Sequence, residues 1–180
     1  MANTPHPESK WATVWSGGRR KLARGPVLGP WVKEIGTIRV PMGEDDPFPY
    51  LVRTICYQQL AGRAASTIHS RLVEALSGEV TTRKVLRVRE STLRKAGLSH
   101  AKCAAIRDLA SKISVGDVVV SDLSEQSDQE VIRRLVQVRG IGVWTAQMYL
   151  MFRMHRPDIW PTGDLGVRKG FAKAHGLKAP

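Results

Sequence analysis

The sequence predicts an all-α fold, and three observations lead to that prediction. From Asp46 onward, apolar residues recur three and four positions apart, which is the spacing of one helix face. Capping residues and glycines, the usual helix boundary signals, interrupt this pattern repeatedly. No segment alternates apolar and polar residues with the period of two that a half-buried strand requires. We therefore expect helices almost throughout the chain from residue 46.

The first two predicted helices have clear boundaries. Asp46 and Pro47 open the first, because Asp is a good N-cap and Pro at the first position loses no hydrogen bond. A second helix is expected over residues 63–76, where apolar residues share one face. Gly78 follows as its terminator.

Three more segments complete the middle of the chain. A short helix is expected over residues 91–96, and a longer one over residues 99–113. Residues 118–120 are three valines, which we interpret as a connector because a lone strand has no partner. Ser127 and Glu130 have the spacing of a capping box that opens a helix running through residue 136.

The charge balance points to a polyanionic partner. Twenty-eight Lys and Arg oppose 16 Asp and Glu, which gives a net charge of +12 and an isoelectric point near 10.3. Nucleic acid is the commonest partner of such a surplus. An anionic membrane surface is the other candidate, but no apolar run is long enough to span a bilayer. We expect no membrane association.

The chain divides, in this interpretation, into a basic, loosely ordered N-terminal arm over residues 1–30 and a helical domain over residues 31–180. The arm is either a solvated tail or a segment that contacts phosphates. Cys56 and Cys103 lie in apolar helical patterns, so we expect buried free thiols in a reducing, cytoplasmic environment. Two cysteines exclude an iron–sulfur cluster held by four thiolates.

The most informative segment is a turn between two predicted helices, in which Gly140 and Gly142 bracket Ile141. The glycines permit tight backbone geometry, and Ile141 can plug into the core. The first N–H groups of the following helix would then form a phosphate site that does not read sequence. An ordinary tight helical corner is the alternative interpretation.

Together with Thr145 and Ala146, this turn resembles the helix-hairpin-helix motif of DNA-repair glycosylases. The family usually has Pro before the first glycine, whereas this chain has Arg139, a cation close to the proposed phosphate. The resemblance implies that Arg139, Gly140, Ile141, Gly142 and Thr145 bind the DNA backbone.

The segment Trp160–Lys169 resembles the catalytic loop of the same family, in which an essential aspartate lies near the start of a helix. The resemblance makes Asp164 the catalytic residue, while a helix cap is the alternative and compatible role. Breaking an N-glycosidic bond leaves positive charge on the sugar. A fixed carboxylate stabilises that charge and can orient the attacking water.

Trp144 determines the subclass. Relatives that also nick the strand carry a lysine at the corresponding hairpin position to form a Schiff base. The tryptophan makes this chain similar to the monofunctional 3-methyladenine glycosylase II branch, and an aromatic face attracts a cationic alkylated purine. We expect Trp144 in the base pocket; the alternative is a core stripe with Met148, Met151 and Phe152.

The segment that contains Tyr57, Gln58 and Gln59 resembles a paired-glutamine signature of the same branch. We assign these three residues to the base pocket. The glutamines can hydrogen-bond a base edge or the backbone at the gap that a flipped nucleotide leaves, and an ordinary surface pair is the alternative. Leu60 is the nearest apolar candidate for a side chain that fills the vacated stack, but we expect a core role for it. The stretch from Leu93 through Lys102 matches the family without suggesting a site.

The resemblance covers residues 45–177 and implies the fold of helix-hairpin-helix glycosylases, without the usual C-terminal helices. It implies a monomeric base-excision-repair enzyme that hydrolyses alkylated purines from double-stranded DNA, with no cofactor and no metal. Two other classes stay open. One is a non-catalytic or truncated module that recognises damaged DNA, and the other is a basic helical protein-interaction domain.

Overall fold

All regular structure in the described residues of the computed structural model is helical, which confirms the predicted all-α class. The structure describes residues 16–37, 46–178 and 180. The chain forms two compact units: one combines residues up to 42 with residues 150–180, and the other spans residues 43–149. After a helical stretch at residues 16–22, the numbered helices in chain order are α1 (Gly29–Ile35), α2 (Pro47–Tyr57), α3 (Gly62–Ala75), α4 (Thr82–Arg87), α5 (Glu90–Lys95), α6 (His100–Val115), α7 (Asp128–Leu135), α8 (Val143–Phe152) and α9 (Leu165–Ala174), with a 3-10 turn at Leu123–Glu125 before α7.

In the unit of residues 43–149, α6 is the central helix, and α2, α4 and α5 pack against it. Its buried stripe contains Ile106, Leu109 and Ala110, as the predicted period requires. Leu51 and Ile55 of α2 are fully buried on the facing side. Each such side chain contributes about 1.5–3 kcal/mol by leaving water. The turn at residues 140–142 packs on this core.

Two helix starts follow the predicted caps at Asp46 and Ser127, and Ser99 caps a third helix in which the sequence pattern includes it. The Asp46 carboxylate accepts a hydrogen bond from Phe48 N at 3.0 Å, and Ser99 Oγ accepts one from Lys102 N at 3.2 Å. Ser127 Oγ likewise accepts from Glu130 N at 3.2 Å. The capping box differs from the prediction on its other side, because the Glu130 carboxylate pairs with arginines of its own helix, Arg133 and Arg134.

The sequence pattern does not predict two of the numbered helices, α1 and α4. Helix α4 has six residues and buries only Val85, so it shows no apolar period to detect. Helix α1 begins at Gly29, where a Cβ would lie 2.8 Å from the Ala23 carbonyl oxygen, so only glycine fits this approach.

The predicted N-terminal arm is partly helical. Residues 1–15 lie outside the described residues, whereas residues 16–22 are helical and α1 runs across the predicted boundary between residues 30 and 31. The predicted division of the chain between residues 30 and 31 stays a prediction.

Candidate functional site

The turn between α7 and α8, residues 138–142, has the geometry that the glycine pattern predicts. Gly140 has a φ of +77°, a conformation that favours glycine. Ile141 is buried, and its N–H donates to the Val138 carbonyl at 3.0 Å. A Cβ on Gly142 would meet no atom within 4 Å, so this face of the turn is open to a close approach. We call residues 138–142 the hairpin.

The underside of the hairpin is braced by Gln58, at the C-cap of α2. Its amide nitrogen donates to the Gly140 carbonyl at 2.9 Å and lies 3.4 Å from Thr145 Oγ1. The predicted hydrogen bond from Gln58 to a base edge or to the backbone at a flipped nucleotide stays a prediction. The Thr145 side chain is buried, so it supports the hairpin from inside and does not present its hydroxyl at the surface.

Two residues that the sequence analysis missed hold the entry to the hairpin. Asp108 of α6 accepts hydrogen bonds from Arg139 N at 2.8 Å and from Lys112 Nζ at 2.7 Å. Lys112 Nζ also donates to the Gln137 carbonyl at 2.6 Å. Burial raises the pKa of Asp108, but these hydrogen bonds and the nearby positive charges outweigh it and leave the pKa below its ordinary value.

A third missed residue, Lys102, positions the end of α2. Its Nζ donates to the Cys56 carbonyl at 2.8 Å, which satisfies a terminal carbonyl of that helix. Burial lowers the pKa of Lys102. The chain then turns sharply at Gln59, which is exposed and has a φ of +56°. Leu60 is 41% exposed, so the expected core role of this residue is wrong.

Tyr57 lies partly buried at the last turn of α2. The Arg53 guanidinium carbon lies 5.1 Å from the centre of its ring. The His69 ring of α3 meets it edge-on, with centroids 6.5 Å apart. Helices α2 and α3 thus hold the ring between them, and a contact from Tyr57 to a base stays a prediction.

Trp144 lies at the surface. It is 44% exposed and Phe152 is 43% exposed, so the alternative of a core stripe along this face of α8 is wrong. The buried face of α8 contains Ala146, Tyr149 and Leu150 instead. An exposed tryptophan directly after the hairpin is compatible with the predicted contact to a base, which stays a prediction.

Asp164, in the other compact unit, is the N-cap of α9. Its Oδ1 accepts a hydrogen bond from Val167 N at 2.8 Å, which fixes the carboxylate at the positive end of the helix dipole. Gly166 leaves room for this arrangement, since a Cβ there would lie 3.0 Å from Oδ1. The predicted cap is therefore present. A catalytic role of the same carboxylate is compatible with it and stays a prediction.

The loop before Asp164 is a tight turn in which Asp164 N donates to the Pro161 carbonyl at 2.9 Å. Beside α9 lies a shallow groove of about 300 Å³, whose lining includes the aromatic side chains of Trp160 and Phe171 and the cation Arg168. Near the other end of α9, Lys173 Nζ lies 5.0 Å from the centre of the Trp31 ring, which joins α1 to this helix.

Two features are absent from the described ranges. No helix in them is long and apolar enough to cross a membrane. Among the same residues, no group of three or more His, Cys, Asp or Glu side chains is arranged to hold a metal ion.

Comparison with known proteins gives consistent results at the level of sequence. Residues 52–180 match the family described as HhH-GPD superfamily base excision DNA repair protein. DNA-3-methyladenine glycosylase 1 of Schizosaccharomyces pombe is 32% identical over 81% of this chain. The DNA-3-methyladenine glycosylase of Saccharomyces cerevisiae is 32% identical over 84% of it. The chain spans 66% and 56% of these two relatives' own length.

Solved structures agree. The S. pombe 3-methyladenine DNA glycosylase, in complex with abasic DNA, superimposes with a TM-score of 0.80 at 28% identity and covers 90% of this chain and 82% of that one. The DNA-3-methyladenine glycosidase of Bacillus halodurans gives a TM-score of 0.78 at 30% identity, covering 88% and 74%. With the family match over most of the chain, these results show that the chain belongs to the HhH-GPD superfamily of base-excision DNA repair proteins.

Proposed function

We propose that this protein is a monofunctional DNA glycosylase that releases alkylated purines from double-stranded DNA and leaves an abasic site. The observation that carries the proposal is the Asp164 carboxylate, which the cap bond to Val167 N holds in one orientation. The family membership and the relatives' names support the activity and the substrate class.

The chemistry assigned to Asp164 is electrostatic. As the bond between base and sugar breaks, positive charge develops on the sugar, and a fixed carboxylate stabilises it. The same group can orient or deprotonate the water that attacks C1′. The departing base takes the electron pair of the bond, and a purine already made cationic by alkylation leaves readily.

The absence of strand cleavage follows from Trp144. A lyase reaction in this family requires a lysine amine at this hairpin position, and an indole cannot form a Schiff base. The exposed ring can instead stack on a cationic base. We further propose that the hairpin N–H groups and Arg139 bind DNA phosphates, and that Tyr57 and Gln59 lie near the flipped nucleotide.

No cofactor or metal enters this mechanism, and the protein is expected to act as a monomer in the cytoplasm, associated with DNA. The basic composition is consistent with such an association.

The experiment that tests the proposal incubates the purified chain with methylated duplex DNA. Free base is measured by chromatography, and abasic sites are measured as strand breaks before and after alkali. The proposal predicts free methylpurine and breaks that appear only after alkali. Breaks before alkali would contradict the monofunctional assignment. DNA binding without base release would leave a non-catalytic module that recognises damaged DNA.

A further inference from the structure

Helix α6 carries a charged pair, Asp108 and Lys112, that binds one backbone N–H and one backbone carbonyl where the chain enters the hairpin. The carboxylate accepts the Arg139 N–H at 2.8 Å, and the ammonium donates to the Gln137 carbonyl at 2.6 Å. The two side chains are one helical turn apart and bind each other at 2.7 Å. One ion pair thus fixes a donor and an acceptor of the three-residue backbone segment 137–139. We call Asp108 and Lys112 the clamp.

The hairpin is held from a second side by a different helix. The Gln58 amide, at the C-cap of α2, donates to the Gly140 carbonyl at 2.9 Å. Gly140 itself lies against Ala105 of α6, where a Cβ would come within 3.2 Å of the alanine methyl group. Side chains therefore fix the backbone directly before the open face at Gly142, on which no side chain intrudes.

Backbone N–H groups bind a phosphate well only when they converge on one point, because a turn that fluctuates must be ordered at the moment of binding. We infer that Asp108 and Lys112 are positioning residues for DNA binding: they hold the hairpin backbone in its phosphate-binding geometry without contacting DNA themselves. This inference rests on the proposed function of the hairpin.

The sign of the charge makes the inference testable. Asp108 carries a negative charge close to a surface that binds a polyanion, so electrostatics alone predicts that removing the charge tightens binding. The clamp predicts the opposite. Losing a hydrogen bond to a charged acceptor weakens the arrangement enough to lower DNA affinity about tenfold.

Lys112 gives a second, independent criterion. A lysine that contacts a phosphate contributes about 0.9 to the slope of log affinity against log salt concentration, because its contact releases a counterion. A lysine that acts through the hairpin backbone leaves that slope unchanged. Lys112→Met is therefore expected to weaken binding about tenfold at every salt concentration and to keep the parental slope.

The experiment measures the binding of undamaged duplex DNA by fluorescence anisotropy from 50 to 200 mM salt. The variants are Asp108→Asn, Asp108→Ala and Lys112→Met. Asp117→Asn removes an exposed carboxylate just beyond the end of α6 and serves as the charge-matched control. Thermal melting and the hydrogen exchange rate of the Arg139 amide, both measured without DNA, show whether each variant folds and whether its hairpin has loosened.

We expect faster hydrogen exchange of the Arg139 amide and weaker DNA binding in all three variants. Asp108→Ala is expected to bind DNA more weakly than Asp108→Asn, because asparagine keeps an acceptor for the Arg139 N–H. The control binds as the parent does or slightly more tightly. Tighter binding by Asp108→Asn, or a lower salt slope in Lys112→Met, would overturn the inference. So would faster exchange with parental affinity, while base release by the parent would still uphold the proposed function.

Discussion

Replacing Gly166 by alanine separates the two roles of Asp164, helix cap and catalytic group. A Cβ at residue 166 would lie 3.0 Å from Asp164 Oδ1, whereas ordinary contacts begin near 3.4 Å. The carboxylate must then move by about 0.4 Å and strain its 2.8 Å bond to Val167 N. A weakened N-cap costs about 0.5–2 kcal/mol, and alanine in place of glycine in a helix returns about 0.5–1 kcal/mol.

The two contributions to stability nearly cancel, so Gly166→Ala is expected to unfold within about 1 kcal/mol of the parent. This cancellation applies to stability only and does not preserve the rate of base release. A misplacement of 1 Å in a catalytic group can cost a hundredfold in rate, so a shift of about 0.4 Å is expected to slow excision roughly tenfold. The assay is single-turnover release of methylpurine, together with thermal melting.

Gly170→Ala is the matched control in the same helix. A Cβ there meets no atom within 4 Å, so this variant gains helix propensity without touching Asp164. It should be about 0.5–1 kcal/mol more stable than the parent and excise at the parental rate. Parental excision by Gly166→Ala, or equal slowing by both variants, would refute the claim that the orientation of Asp164 sets the rate.

Three further outcomes follow from the structure. Burial raises the pKa of Cys56 to about 12 and raises that of Cys103, so neither thiol should react with a thiol reagent until the protein unfolds; rapid reaction in the native state would contradict this. The folded pKa of Asp108 is below its ordinary value of 3.8, so its stabilisation is present above about pH 4 and is lost as the pH falls through the folded value. The difference in urea stability between the parent and Asp108→Asn should therefore shrink in acid, and a constant difference would argue against it. Gln59→Gly should raise the free energy of unfolding by about 1 kcal/mol, because glycine adopts the φ of +56° without strain, and Gln59→Ala should give no such gain.

Local sequence patterns predicted the parts of the site that depend on neighbouring residues. The two glycines around Ile141 predicted the hairpin, because its turn closes within four residues through the hydrogen bond from Ile141 N to the Val138 carbonyl. Asp164 followed by a helical stretch predicted the cap that the structure contains. Both features depend on backbone geometry and hydrogen bonds that close within a few positions, so one sequence suffices to indicate them.

Contacts between distant residues were not predictable in this way. Gln58 and Gly140 are 82 residues apart in the chain, and Asp108 and Arg139 are 31 apart. On a helix surface, Asp108 with Lys112 has the ordinary pattern of an exposed ion pair. Only the packing of α6 beneath the hairpin entry reveals which backbone groups this pair binds. For the same reason, the sequence does not indicate the hydrogen bond from Gln58 to the hairpin.

In the proposed mechanism, Asp164 performs the chemistry and is not needed to bind DNA. The most direct measurement compares Asp164→Asn with the parent in both single-turnover base release and DNA affinity, with Asp158→Asn, an exposed aspartate of the same unit, as control. We expect Asp164→Asn to bind methylated duplex DNA as the parent does and to release no base. The control is expected to bind the DNA and to release base. Base release by Asp164→Asn at the parental rate would contradict this mechanism.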